Sequence, residues 1–159
     1  MDFIVDEMLK GLIRWLRILG FNTLEIISLS REEYYLFNNY YYLTGSPKHY
    51  DLWNNHKKIL LMENKIDSQL HKLNSKLGIF SELKPFSRCS ICNNILLKVT
   101  KEELVTRIPP GVTKNINRFF ICPTCLKIYW HGGHVKRMLD KLWRIGVPID
   151  DKLKGEIDE

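Results

Sequence analysis

Apolar residues recur along this chain with two different periods, and the switching between them sets the expected architecture. Phe3-Ile4-Val5 is a short apolar run that ends at Asp6 and Glu7, and it reads as a strand. Met8, Leu9, Leu12, Ile13, Leu16 and Leu19 then repeat at helical spacing, with Lys10, Arg14 and Arg17 opposite them and Gly20 as the stop. Residues 24–27 read as a second strand, and residues 31–38 as a short helix with Glu32 and Glu33 in its first turn. The aromatic, β-prone residues 40–44 read as a third strand, broken by Gly45-Ser46-Pro47. Residues 50–56 suit another short helix, and Ile59-Leu60-Leu61-Met62 a buried strand. Asp67 is expected to cap a helix that carries Leu70, Leu73 and Leu77 on one face and ends at Gly78. Strands alternating with helices predict an α/β fold with a parallel sheet flanked by helices. Sheets of that kind place their sites beyond the carboxyl ends of the strands.

After a linker over residues 81–88 the pattern changes. Phe119-Phe120-Ile121 and Lys127-Ile128-Tyr129-Trp130 read as short strands, and residues 108–111 as a loop. Gly132-Gly133 opens a last helix, with Val135, Met138, Leu139, Leu142 and Ile145 on its apolar side. Lys136, Arg137, Lys141 and Arg144 face the other way, and Gly146 with Pro148 ends the helix. The expected division is an α/β domain over residues 1–83, a small module with a C-terminal helix over residues 84–148, and an acidic, frayed tail over residues 149–159.

The four cysteines alter this picture most. Cys89 and Cys92 form one C-x2-C pair, Cys122 and Cys125 form a second, and 29 residues separate them. Two such turns can aim four sulfurs at one point, which suits a tetrahedral Zn2+. Two disulfides would need an oxidising compartment, and no secretory signal is evident, so zinc is the stronger reading. Four thiolates leave no open position for water, so the zinc is expected to be structural. With four sulfurs in place, neither His131 nor His134 is needed as a ligand. No run reaches the eighteen or so apolar residues of a membrane span, and the expected setting is the cytoplasm.

Charge is distributed unevenly. Residues 1–83 hold ten Lys/Arg and ten Asp/Glu, whereas residues 84–144 hold twelve and three. A basic zinc module interleaved with Phe119, Phe120, Tyr129 and Trp130 fits a polyanionic partner, RNA or a ribonucleoprotein first, although a basic face can also be merely solvated. Lys136, Arg137, Lys141, Arg144 and Trp130 are the candidate contacts. In the α/β part, Asp6 lies where a strand hands over to a helix. It is either a plain helix N-cap or a carboxylate held ionised for a metal. Acids converging at that edge would make a two-metal phosphodiesterase site. There is no P-loop and no G-x-G-x-x-G, which removes support for NTP hydrolysis and dinucleotide chemistry.

Several stretches taken together resemble the Mut-seven C-terminal RNase domain family. They are F-I-V-D-E-M-L-K-G-L-I-R-W-L-R-I-L-G-F at residues 3–21, S-R-C-S-I-C-N at 87–93, I-P-P at 108–110, and C-P-T-C-L-K-I-Y-W-H-G-G-H at 122–134. Gln69-Leu70 resembles a smaller landmark. The resemblance implies a PIN-like α/β nuclease fold followed by a zinc ribbon, and RNA cleavage with Mg2+ or Mn2+ held by acidic residues. Asp6 matches the first-strand acid, and Glu32 or Glu33 the second. The family commonly has L-T-R-D after its third strand, where this chain has Leu43-Thr44-Gly45-Ser46. The metal-binding acid is therefore Ser46 here, and Asp51 could substitute if the loop bends back. A neutral hydroxyl is a weak ligand for a hard cation. Two functions follow: a metal-dependent ribonuclease using Asp6, Glu32, Glu33 and Asp51, or a catalytically degenerate relative that binds RNA or a ribonucleoprotein, for example a ribosome, without cleaving it.

Overall fold

The computed structural model describes residues 1–26, 36–54, 56–112, 114 and 116–149. Glu32 and Glu33 lie outside the described residues, as do most of the expected 31–38 helix and the acidic tail beyond residue 149. The chain divides into two compact units, Met1–Asn93 and Asn94–Glu159.

The first unit is a four-stranded parallel sheet flanked by helices. Its elements are β1 (Asp2–Asp6), α1 (Lys10–Ile18), β2 (Asn22–Ile26), β3 (Tyr41–Thr44), α2 (Pro47–Leu52), β4 (Lys58–Leu60) and α3 (Ile66–Leu77). The strand order is β2-β1-β3-β4. β1 pairs on both sides, with Phe3 opposite Thr23 in β2 and opposite Tyr41 in β3. Successive strand residues point to opposite faces, so a strand covered on both faces reads as a continuous apolar run rather than an alternating one. Phe3, Ile4 and Val5 are fully buried. α1 covers the sheet with Leu12, Ile13 and Leu16, and α3 contributes Leu70 and Leu73.

Two helix starts differ from expectation. α2 begins at Pro47, upstream of residue 50, because the Ser46 hydroxyl accepts from the His49 backbone N–H at 3.3 Å and Pro47 is preset for a first helical position. α3 begins at Ile66, so Asp67 is not its cap. It lies in the first turn, where the helix dipole favours a carboxylate without any capping bond. Gly78 ends α3 in the left-handed region, as expected. Gly20 is also left-handed, with φ +97°, and a Cβ there would lie 2.3 Å from the Lys84 carbonyl oxygen. No side chain fits that turn.

The second unit holds a three-stranded antiparallel sheet, β5 (Leu97–Val99), β6 (Phe119–Ile121) and β7 (Ile128–Trp130), followed by α4 (Gly133–Arg144). β5 is an unanticipated strand. It is three residues long, and Leu97 and Lys98 are both exposed, so no burial alternation marks it. The core of this unit is Leu104, Ile108 and Phe119, with Val99, Val112, Ile116, Ile128 and Trp130 packed against it. α4 buries Val135, Leu139 and Leu142. Among the described residues no helix is long and apolar enough to cross a membrane.

Candidate functional site

Both cysteine pairs sit on turns of one design. The Asn93 N–H donates to the Cys89 carbonyl at 3.0 Å, and the Leu126 N–H to the Cys122 carbonyl at 3.0 Å. Each turn is completed by a left-handed residue four positions after its first cysteine, Asn93 at φ 70° and Leu126 at φ 58°. Asn enters that region readily, whereas for Leu it costs about 1–2 kcal/mol. The two turns bring the sulfurs of Cys89, Cys92, Cys122 and Cys125 within 4.8 Å of one another. A tetrahedron with metal–sulfur bonds of about 2.3 Å has sulfur–sulfur edges of about 3.8 Å, so the cluster fits a zinc ion. No disulfide joins any two of them. Cys89 and Cys122 are buried, and Cys125 is exposed.

The first turn is tied down by residues the sequence reading passed over. The Asn93 side chain accepts from the Thr23 N–H at 2.9 Å and donates to Asn22 Oδ1 at 2.6 Å. Thr23 belongs to β2, which is an edge strand among the described residues, and the Asn93 side chain takes up its outward N–H. The buried Arg17 donates to the Thr23 carbonyl at 3.0 Å and to the Ile91 carbonyl. Arg88 donates to the Gly20 and Asn93 carbonyls, at 3.2 and 2.9 Å. Burial pulls the Arg17 pKa down, and the charges of Glu25, Cys89 and Cys92 oppose that pull. A cation at i+4 or i+5 on an otherwise apolar helix face was the available signal for Arg17.

Asp6 closes β1 at the carboxyl edge of the sheet and is 4% exposed. Its Oδ1 accepts from the Met8 N–H at 3.2 Å, so Asp6 does cap the turn that leads into α1. Its Oδ2 accepts from Thr44 Oγ1 at 2.9 Å, from His49 Nδ1 at 2.5 Å and, more weakly, from the Tyr42 hydroxyl at 3.4 Å. A carboxylate only accepts, so His49 Nδ1 carries the proton here. The Thr44 hydroxyl is fixed in turn, because it accepts from the Ser46 N–H at 3.0 Å while donating to Asp6. Burial is the largest influence on the Asp6 carboxyl and pushes its pKa up. The hydrogen bonds from His49, Met8 and Thr44, with the charge of His49, together outweigh it and hold the group below the usual carboxylate range.

Ser46 caps α2, and its position brings in His49. A residue three beyond a helix cap is where a side chain reaches back over the helix start, the geometry of a capping box. In S-P-K-H the residue at that place is His49, and it reaches Asp6. This was the legible sign of His49 that the sequence reading missed. Asp51 lies on α2 and is exposed. Glu63, just past β4, pairs with Lys72 at 2.8 Å, and its backbone carbonyl accepts from Gln69 at 2.7 Å. Among the described residues, the four cysteines are the one group of three or more Cys, His, Asp or Glu side chains close enough to share a metal ion. Asp6 and Asp51 do not form such a group there.

In the second unit Lys136, Arg137, Lys141 and Arg144 are all exposed on α4. Trp130 is half-buried, with its ring 6.5 Å from that of Phe119. The Arg107 guanidinium donates to the Leu126 carbonyl at 2.8 Å, beside the second cysteine turn.

A family model described as the Mut7-C RNAse domain matches residues 1–142 of the 159. No curated protein and no solved structure matches the chain significantly.

Proposed function

The chain belongs to the Mut7-C RNase domain family, and from that premise we propose that it is an RNA-binding member whose acidic corner holds a hard cation only weakly. The observation that carries this reading is the crowding of Asp6 Oδ2. Four donors already point at the two carboxylate oxygens, and Oδ2 takes three of them. A Mg2+ or Mn2+ ion would have to displace them, and it would meet a serine hydroxyl where the family keeps a further acid. Phosphodiester hydrolysis through such a site is slow or undetectable.

RNA contact belongs to the basic face of α4. Lys136, Arg137, Lys141 and Arg144 are solvent-facing cations on one helix, and residues 84–144 carry nine more basic than acidic side chains. The zinc is structural in this reading: it holds together the ribbon of β5, β6 and β7 that follows the PIN-like part in the chain, as the resemblance implies. Binding is electrostatic and weakens with salt through counterion release, by a factor whose logarithmic slope is about −0.7 per neutralised phosphate of a single strand. Replacing the four α4 cations by Glu is expected to flatten that slope by up to about 3 units and to weaken binding at least tenfold. Unchanged affinity with no salt dependence would leave α4 as a solvated face and end the proposal.

One observation favours a second reading, the metal-dependent ribonuclease. Asp6 is kept ionised and buried at the carboxyl edge of the sheet, where such a nuclease needs its first metal ligand. Glu32, Glu33 and Asp51 are the acids that would complete the site. Robust Mg2+- or Mn2+-dependent RNA cleavage by the natural chain, lost in Asp6→Asn, selects this reading over the degenerate one.

A further inference from the structure

The β4 side of the first unit's sheet carries a second feature, apart from Asp6. A pocket of about 420 Å³ opens there, with Tyr41, Tyr50, Lys57, Lys58, Lys72 and Lys76 among its walls. Tyr41 opens β3 and Lys58 opens β4, whereas Asp6 closes β1. The pocket runs along β4 from Lys57 to Leu60, and β3 lies between β4 and the strand that carries Asp6. The volume is within the usual range for small-ligand sites, about 300–1,000 Å³. No Asp or Glu is among the lining residues.

Residues 1–83 are neutral overall, with ten cations and ten acids, yet four of the ten cations gather around this one hollow. One of them, Lys72, is already offset by Glu63; the charges of Lys57, Lys58 and Lys76 share a concave site, and the field of such like charges is relieved by an anion. Two of the four are already positioned. Lys58 Nζ donates to the Tyr50 and Trp53 carbonyls at 2.9 and 3.0 Å, which holds it at the carboxyl end of α2. Lys72 is held by Glu63 at 2.8 Å. Cations fixed before binding lose little freedom when a ligand arrives. Lys57 Nζ sits 5.6 Å from the Tyr41 ring centroid, and Lys76 is exposed in the last turn of α3. The cations are thus interleaved with two aromatic rings. Lys58 Nζ also lies 4.4 Å from the Tyr50 centroid, so a base would stack on the ring face opposite the lysine, while the ammonium groups suit phosphate.

We propose that this pocket is a nucleoside-phosphate site, taking a free mononucleotide or one nucleotide of an RNA strand through Lys57, Lys76 and Tyr50. It goes beyond the α4 proposal and does not depend on it. The test is amide chemical-shift titration of the full-length, zinc-loaded protein at low salt. The probes are AMP, a 5′-phosphorylated penta-adenylate RNA, and pyrophosphate. Saturable shifts are expected at Tyr41, Lys57, Lys58 and Lys76. Lys57→Glu with Lys76→Glu should weaken AMP at least tenfold. These two positions avoid the lysines that tie α2 and Glu63, so the fold is expected to persist, as retained dispersion of the β1 and α1 amides would verify. Tyr50→Leu should weaken AMP about tenfold and leave pyrophosphate unchanged, since only AMP carries a base to stack. An RNA that binds more tightly than AMP identifies a strand as the ligand; equal affinity identifies the free nucleotide. The proposal is overturned if AMP and RNA give no saturable shifts there, if the double variant binds as the natural chain does, or if pyrophosphate matches AMP and Tyr50→Leu changes nothing. Loss of RNA binding through α4 alone, with AMP shifts intact, would separate this site from the α4 reading.

Discussion

Asp6 and the four cysteines are the two anionic centres of this chain, and they handle their charge in opposite ways. Asp6 is one carboxylate wrapped by protein donors: an amide, two hydroxyls and an imidazole. The cysteines gather four potential negative charges within 4.8 Å of one another. Such a cluster can ionise only around a cation, because thiolates at that separation repel strongly. The difference shows how a metal preference is read from geometry. A site ready for a metal has more anionic ligand capacity than the protein satisfies by itself. A carboxylate that already accepts four hydrogen bonds has less to give.

The largest effect in this comparison comes from removing a sulfur. Cys122→Ser is expected to lose the zinc and to unfold the β5–β7 sheet, because zinc binding in small sites is worth about 10–16 kcal/mol and appears directly as folding free energy. Elemental analysis and the amide spectrum of the purified variant would check both parts. Zinc-free natural protein with an intact spectrum would break the comparison at its stronger side.

Next in size is the loss of charge at Asp6. Asp6→Asn keeps the shape but turns charge-assisted hydrogen bonds into neutral ones, and it sets an amide NH2 against donors. The expected cost is about 2–3 kcal/mol in urea unfolding. A cost near zero would mean that Asp6 is poorly satisfied after all, and so available for a metal.

The third prediction opens the corner instead. His49→Ala removes the shortest contact to Oδ2, and Ser46→Asp supplies the acid that the family pattern carries. Together they should raise Mn2+ affinity at least tenfold, or about 1.4 kcal/mol, as read by paramagnetic line broadening. No gain would place the missing ligands elsewhere.

pH dependence tests the same carboxylate without metal. The folded-state pKa of Asp6 is depressed, so its contribution to stability is fully present above the unfolded value of about 3.9 and is lost as pH falls through the folded value. Natural protein should therefore lose stability below about pH 4 more steeply than Asp6→Asn does, as chemical denaturation at each pH would show.

The smallest effect lies in the second cysteine turn. Leu126 occupies a left-handed position that Gly adopts without strain, and its side chain is 54% exposed. Leu126→Gly should stabilise the chain by about 0.5–1 kcal/mol, since the relieved strain exceeds the added chain entropy. A Tm shift of the opposite sign would assign the Leu126 side chain a packing role.

Much of this was legible in the sequence, for physical reasons that can be named. β1 and α1 announce themselves because a strand buried on both faces is apolar throughout and a one-sided helix is apolar every third or fourth residue. The cysteine cluster is legible because local spacing alone positions each pair. The neighbourhood of Asp6 is not, since Thr44 and His49 reach it from 38 and 43 residues away. Only the order β2-β1-β3-β4 brings β3 and the start of α2 beside the end of β1. Gathering of the lysines on the β4 side is hidden for the same reason: averaged over residues 1–83 their charge cancels. β5 was missed because a three-residue strand with exposed side chains carries no periodic signal.

The bond between the Asn93 side chain and the Thr23 amide spans 70 residues, and that span has a meaning in time. Ribosomes add about 5–20 residues per second, so the edge of β2 leaves the tunnel roughly 3–14 seconds before the residue that covers it. During that interval the nascent chain presents an open strand edge, a ready template for pairing with another chain. Conditions that slow elongation between residues 23 and 93 lengthen the exposure. Losses of this protein to aggregation during synthesis should then depend on translation rate even when the finished molecule is stable.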